Sequence, residues 1–448
     1  MTSGPSTGEA VLAPSTLPGR EYVSASVLAR DLRTGERLLA VDPDVPLLPA
    51  SNAKLVTAAR AFCELGPEYR FETPVYADGP VRKGVLLGDL VVSGRGAPDL
   101  SQADLMALAD EVAGAGIETV AGELIVDASA FDDQFLGPGW TWDDGQFEYG
   151  AKSTPLAVER NTVDITVAHR NGSVSVDASP SSDIVRFDVD VEPGQTTSLE
   201  VYKKRASEVI RVEGEIPPGE TQTAASPVDD PMMHAASLFR DALEAKGIAV
   251  DGWTRIEHEP ITPEGDPCAA VTSAPLVEIV QEMLVHSDNF AAEQLARTIA
   301  RELDGVGSWE LWEEHVSAFL TDRGAEAVRL RDGSGLSRYN LLSASSIVAV
   351  LEWCLDRPWS ERYWQSLPLT GVEGTVANRL ADLPIPVRAK TGTLTGARTL
   401  SGYVCEPSGE PAAVFSCLLS NLTGEYEATA TDRIDDVVRT IVEATDLS

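Results

Sequence analysis

The chain of 448 residues carries 70 Asp and Glu against 35 Lys and Arg, a formal net charge of −35. With 43% hydrophobic and 23% charged residues it has the composition of a chain with real cores, which excludes wholesale disorder. An acid excess this large repels phosphate backbones and anionic headgroups, so nucleic-acid and membrane-surface partners are disfavoured, and no apolar run approaches the roughly 20 residues that span a bilayer.

A prior of about 150 residues per domain suggests roughly three domains. Residues 1–21, rich in Gly, Pro, Ser and Thr, are expected to form a flexible N-terminal segment. They show no basic region followed by an apolar one, so no secretory leader is expected. Next, YVSASVLARDL and ERLLAVD, joined through Arg33-Thr34-Gly35, predict a hairpin. Ser51 then stands at an N-cap position for a helix carrying Leu55, Val56, Ala59 and Cys63, which Gly66-Pro67 stops. From about 76 to 261 short β-like runs dominate, including VLLGDLVVSG, TVAGELIVDA, NTVDITVAH and SEVIRVEGEI. Two helices, Ser101–Ala113 and Pro231–Lys246, interrupt them. Beyond 266 the pattern turns helical: Pro275 opens PLVEIVQEMLVH in its first turn, a break at His286–Asn289 follows, and FAAEQLARTIARELDG resumes. Ser343 caps SIVAVLEWCLD. Strands PVRAKTG, ARTLSGYVCE and AVFSCLLSN precede a last helix with Ile434, Val437, Val438, Ile441 and Val442 on one face. The simplest architecture is an α/β (α+β) domain discontinuous in sequence, 22–75 with 262–448, with a β-rich region, 76–261, inserted as two modules.

The five cysteines form no CxxC, and the five histidines no HExxH, so neither a disulfide framework nor a metal site is indicated. Chemistry concentrates instead in three short elements. In Ser51-Asn52-Ala53-Lys54, hydroxyl and amine share a helix face at (i, i+3), and a partly buried lysine can take the serine's proton. The bland alternative is an N-cap serine followed by a solvated lysine. Ser287-Asp288-Asn289 falls in the break between two helices, where a hydroxyl can relay a proton and a carboxamide can hold a substrate amide; its alternative is ordinary capping. In Lys390-Thr391-Gly392-Thr393, on a predicted strand, a cation and hydroxyls suit a substrate carboxylate, and Gly392 lets a ligand lie along the edge. Its alternative is a solvated edge lysine with a bulge glycine. Two of only seven lysines fall in these elements. His286 is most simply a helix-terminal residue.

In that order, SxxK, SxN and KTG resemble the signature set of penicillin-binding proteins and serine β-lactamases. More than two hundred residues separate Lys54 from Ser287, far more than in class A β-lactamases. A long insertion there resembles the class C low-molecular-mass penicillin-binding proteins, the D-alanyl-D-alanine carboxypeptidase/endopeptidase family. Pro49–Leu55, Gly88-Asp89-Leu90 with Gly94, Pro98-Asp99-Leu100, Asn161-Thr162-Val163 and Asp332–Ser337 also look like that family.

The resemblance implies a serine β-lactamase/D,D-peptidase-like transpeptidase domain that needs no metal or cofactor. Ser51 would be the nucleophile, Lys54 its base, Ser287 the proton carrier and Asn289 the peptide holder. Lys390 would tune the field while Thr391 and Thr393 bind a carboxylate, and the Ser51 and Thr393 N–H groups would form an oxyanion hole. Its partners would be D-Ala-D-Ala stem peptides of peptidoglycan and β-lactams. The family is exported, so the compartment stays open. A β-lactamase, an esterase or D-amino-acid amidase on the same scaffold, and a noncatalytic wall-binding relative are the alternatives. The spread of acid along the chain predicts a halophilic protein.

Overall fold

The computed structural model describes residues 23–203, 207, 209–263 and 265–445; the N-terminal segment expected to be flexible lies outside them. At its centre is an antiparallel five-stranded sheet in the order Val387–Leu394, Ala397–Cys405, Pro411–Ser420, Ser24–Asp31, Arg37–Val41. The two chain ends meet here, since Ser24–Asp31 pairs with Pro411–Ser420 along its whole length, Ser24 opposite Ser420. Side chains alternate across a strand, and both faces are covered. Val27, Phe415 and Leu419 point to the last helix, Glu425–Ala444, through Ile434, Val438 and Ile441. Leu28, Val414 and Leu418 join the core of the helices Ala53–Glu64 and Ala344–Leu355. Burial on both sides explains why Pro411–Ser420 reads as a nearly continuous apolar run, with only Ser416 inside it.

The predicted hairpin turns through Gly35, at φ +73°. Ser343 caps its helix as expected, accepting from the Ser346 N–H. Two details differ. Pro275, extended at ψ 149°, stands just outside the helix Leu276–His286 instead of in its first turn. Ser51 is not an N-cap: it lies in a short 3-10 turn, Ala50–Asn52, which runs directly into the helix Ala53–Glu64.

Between the two parts of the central sheet, a mixed sheet runs Thr254–Glu257, Leu124–Asp127, Asp89–Ser93, Glu72–Asp78, Ala269–Thr272. The helices Gln102–Gly114, begun by a Ser101–Asp104 capping box, and Pro231–Ala245 pack against it and each other. Beyond it, two three-stranded sheets share a core of Val163, Ile165, Val167, Ile210, Val212 and Ile216. No helix among the described residues is long and apolar enough to cross a membrane. A helix absent from the sequence reading, Trp309–Thr321, is capped by Ser308 and buries Trp309, Trp312 and Val316.

The turn that carries Ser51 is fixed by packing on both sides. Ala50 sits at φ +47°, a costly conformation for a residue with a Cβ. A Cβ at Gly335 would overlap the Ala50 carbonyl, and one at Gly392 would overlap Thr399 Oγ1 and crowd Pro49 and Ala50. Gly305, a helix C-cap at nearly the same φ as Gly335, has open space around it. Gly305→Ala should therefore cost only the left-handed conformation, about 1–2 kcal/mol. Gly335→Ala should cost that plus the collision, a clearly larger loss in denaturant unfolding. Equal losses at the two positions would refute the clamp.

Candidate active site

Polar contacts tie the Ser51 turn to the neighbouring strands Val387–Leu394 and Ala397–Cys405. Thr399 Oγ1 donates to the Pro49 carbonyl at 3.0 Å. Asn52 Nδ2 donates to Lys390 O at 2.7 Å, while its Oδ1 accepts from the Ser401 hydroxyl at 2.6 Å. The first and third motifs thus form one unit. Gly392 serves this close approach, because a side chain there would meet the Ser51 turn and Thr399 rather than a ligand. That is a different reason for glycine from the one read in the sequence.

Lys54 has no exposed surface. Its Nζ lies 3.1 Å from Ser51 Oγ and donates to Asn289 Oδ1 at 2.6 Å and Ser334 O at 2.8 Å. Burial lowers its pKa to about 8, against the opposing pull of Glu293, Asp332 and Asp288. A neutral amine has two N–H bonds and one lone pair. With both hydrogens committed to Asn289 and Ser334, the lone pair faces Ser51. The solvated-lysine alternative fails on burial.

The break at His286–Asn289 is tight. The helix Leu276–His286 ends with Ser287 in the left-handed region, at φ +61°. Asp288 then caps the helix Asn289–Asp304 by accepting from the Ala291 N–H and pairs with Arg160 at 2.6 Å. Ordinary capping thus falls to Asp288, which leaves Ser287 and Asn289 facing the cleft. Asn289 is held at both ends, its Nδ2 donating to Tyr149 O at 3.0 Å.

Lys390 is also fully buried, although its strand is at the sheet edge. Burial first, and then the charge of Lys54, holds its pKa well below the usual lysine value. Its Nζ donates to Thr391 O at 3.0 Å, and the Thr391 and Thr375 hydroxyls lie 2.7 Å apart.

A cleft of about 670 Å³ is lined by Ser51, Ser287, Asn289, Thr391, Gly392 and Thr393, with Lys54 and Lys390 buried beneath it. All eight candidate residues therefore converge. The sequence reading missed much of the wall, including Tyr149 and Asp144 from the segment 76–261, Thr375, Glu427 and three arginines, Arg338, Arg379 and Arg398. It also missed Glu293, one turn beyond Asn289, whose carboxyl accepts from the Gly333 and Ser334 N–H groups. Only the quoted Asp332–Ser337 stretch hinted at that loop.

Comparisons with known proteins place the whole chain in a family. Residues 10–441 match the model of the D-Ala-D-Ala carboxypeptidase 3 (S13) family. A D-alanyl-D-alanine carboxypeptidase of Actinomadura sp. strain R39 is 35% identical over 440 residues, covering 93% of this chain and 81% of that one. D-alanyl-D-alanine carboxypeptidase DacB of Haemophilus influenzae is 26% identical, covering 91% of this chain and 88% of that one. The crystal structure of penicillin-binding protein 4 from H. influenzae superposes with a TM-score of 0.83 at 26% identity, covering 97% of each chain. Sequence and fold agree over nearly the whole length: this chain belongs to the D-Ala-D-Ala carboxypeptidase 3 (S13) family.

Proposed function

We propose that this protein is a penicillin-binding, serine-type D-alanyl-D-alanine carboxypeptidase that works through an acyl-enzyme. One observation carries the reading: a serine hydroxyl 3.1 Å from a buried amine whose other two partners are fixed acceptors. Ser51 Oγ attacks the carbonyl between two D-alanines as Lys54 takes its proton. The C–N bond breaks, Ser287 passes a proton to the departing amine, and D-alanine leaves. Water then hydrolyses the Ser51 ester. The Ser51 and Thr393 N–H groups stabilise the oxyanion, a contribution of about 3 kcal/mol per donor. Thr391 and Thr393 bind the terminal carboxylate, with Lys390 supplying positive charge beneath them. Asn289 orients both the base and the peptide.

Catalysis belongs, on this reading, to the discontinuous unit of 22–75 and 262–448. The two modules of 76–261 contribute Asp144 and Tyr149 to its wall. Endopeptidase action on cross-linked stem peptides is included, because a second cavity of about 700 Å³ shares Tyr149, Ser287 and Asn289 with the first. That is room for a longer leaving group.

Ser51→Ala should abolish covalent labelling by a fluorescent penicillin, and labelling that survived would sink the assignment. Rapid nitrocefin turnover in place of a trapped adduct would favour the β-lactamase alternative. Because the neutral form of Lys54 is the base, the acylation rate should rise with pH through a midpoint near 8; a flat profile from pH 6 to 9 would exclude Lys54 from that role. The proposal extends to halophily. A net charge of −35 opposes the approach of an anionic substrate, and the Debye length falls from ~10 Å at 0.1 M salt to ~3 Å at 1 M. Catalytic efficiency should therefore be higher in molar salt, and best activity at low salt would contradict this.

A further inference from the structure

Both acceptors that orient Lys54 trace back to a single helix. Asn289, in the first turn of Asn289–Asp304, accepts from Lys54 directly. One turn on, Glu293 reaches the same amine through a loop. Its Oε1 accepts from the Ser334 N–H at 2.8 Å and its Oε2 from the Gly333 N–H at 3.0 Å. The Ser334 carbonyl in turn accepts from Lys54 Nζ at 2.8 Å. Glu293 is itself buried, and the Trp309 indole N–H donates to its Oε2 at 2.7 Å.

A buried carboxylate is expensive unless its oxygens are satisfied. Three N–H donors do this, and two of them come from the loop that positions the base. Asp332 organises the other side of the same loop, accepting from the Gly335 and Ser337 N–H groups, Asn340 Nδ2 and Trp140 Nε1.

We propose that Glu293 is a positioning residue for the general base: it anchors the Gly333 and Ser334 N–H groups, and with them the loop whose Ser334 carbonyl accepts from Lys54, while Asp332 holds that carbonyl's own peptide through the Gly335 N–H, and it places a carboxylate near the buried amine. This rests on the assignment of Lys54 as the base. The charged groups around the pair are few. Lys54 feels Glu293, Asp332 and Asp288 as attractive neighbours and Lys390 as a repulsive one. Glu293 faces Asp332 across the loop and lies near Arg297 on its own helix. Arg297 is already engaged by Asp132 and by the Ser153 and Gly307 carbonyls. Burial and the Asp332 charge push the Glu293 carboxyl up from the usual carboxylate range.

The variant Glu293→Gln keeps the side chain's shape, removes its charge and turns one acceptor into a donor facing the loop. The acylation rate of the full-length protein by a fluorescent penicillin should fall at least tenfold at pH 8. Loss of the neighbouring negative charge should also move the acid limb of the rate profile to lower pH. Glu293→Asp, which keeps the charge but draws it back from the loop, should lose rate while leaving the limb in place. A purely structural glutamate would lower thermal stability without moving the limb. A Glu293→Gln limb at the parental pH, with a rate within twofold of parent, would overturn the inference.

The parent protein supplies a check should the variants fail to fold. The Trp309 indole ¹⁵N–H resonance, assigned by its loss in Trp309→Phe, should shift across the pH range of the acylation limb as Lys54 changes charge near Glu293, and a resonance flat through that limb would refute the proposal. The two readings remain separable. If Glu293→Gln is still acylated stoichiometrically at Ser51 with a parental profile, the Glu293 inference fails while the serine assignment stands. If Ser51→Ala is still labelled, the serine assignment itself fails.

Discussion

An amine with no exposed surface, held 3.1 Å from a serine hydroxyl, is the constraint around which this protein is arranged. Removing a lysine from water disfavours its charged form, which makes it available as a base at moderate pH. Unsupported, the same burial would be destabilising. The fold responds by converging on Nζ from three directions: the helix that bears Lys54, the Ser287–Asn289 junction and the Asp332–Ser337 loop. Acidic groups at 288, 293 and 332 stand near enough to temper the loss of proton affinity. Lys390, buried close by, acts in the opposite direction.

Rigidity comes from a different set of interactions. The Ser51 turn is packed between Gly335 and Gly392, and Asn52 bonds it to the edge strand of the central sheet. That sheet is built from both parts of the chain, residues 24–31 pairing with 413–420. The segment 76–261 leaves and returns through the adjacent, paired strands Glu72–Asp78 and Ala269–Thr272. It also reaches back to the cleft, where the Tyr149 carbonyl holds Asn289.

The acidity of the chain acquires a local counterpoint. Arg338, Arg379 and Arg398 line the cleft together, with Arg379 held by Asp435 at 2.6 Å and Arg398 by Glu427 at 3.4 Å. Asp144 and Glu427 stand on the same wall, so arginines and acids are interspersed around the cleft rather than forming a patch of one sign. Short-range contacts of this kind persist in salt that screens the wider field.

Local pattern was sufficient for much of this. The SxxK spacing alone places Ser51 and Lys54 on one helix face. Alternation marked the strands around Lys390, and the Gly, Pro and Ser punctuation located most element ends. What local pattern could not show is which distant groups meet. Glu293 reads as one more charged residue on an amphipathic helix until the Gly333–Ser334 loop folds against it, and Trp309 belongs to a helix that the sequence reading passed over. Gly392 looks like ligand clearance until Thr399 and Ala50 are seen packed on it. Ser51 resembles a helix cap until Asn52 takes the flanking position. The sequence by itself determined the residue types, their spacing and hence the class of chemistry, because those depend on neighbours a few positions apart. Only the tertiary structure decided the proton affinity of Lys54, the direction of its lone pair and the charge of the cleft. Burial and Coulomb energy depend on distance in space, and the groups that set them here lie more than two hundred positions apart.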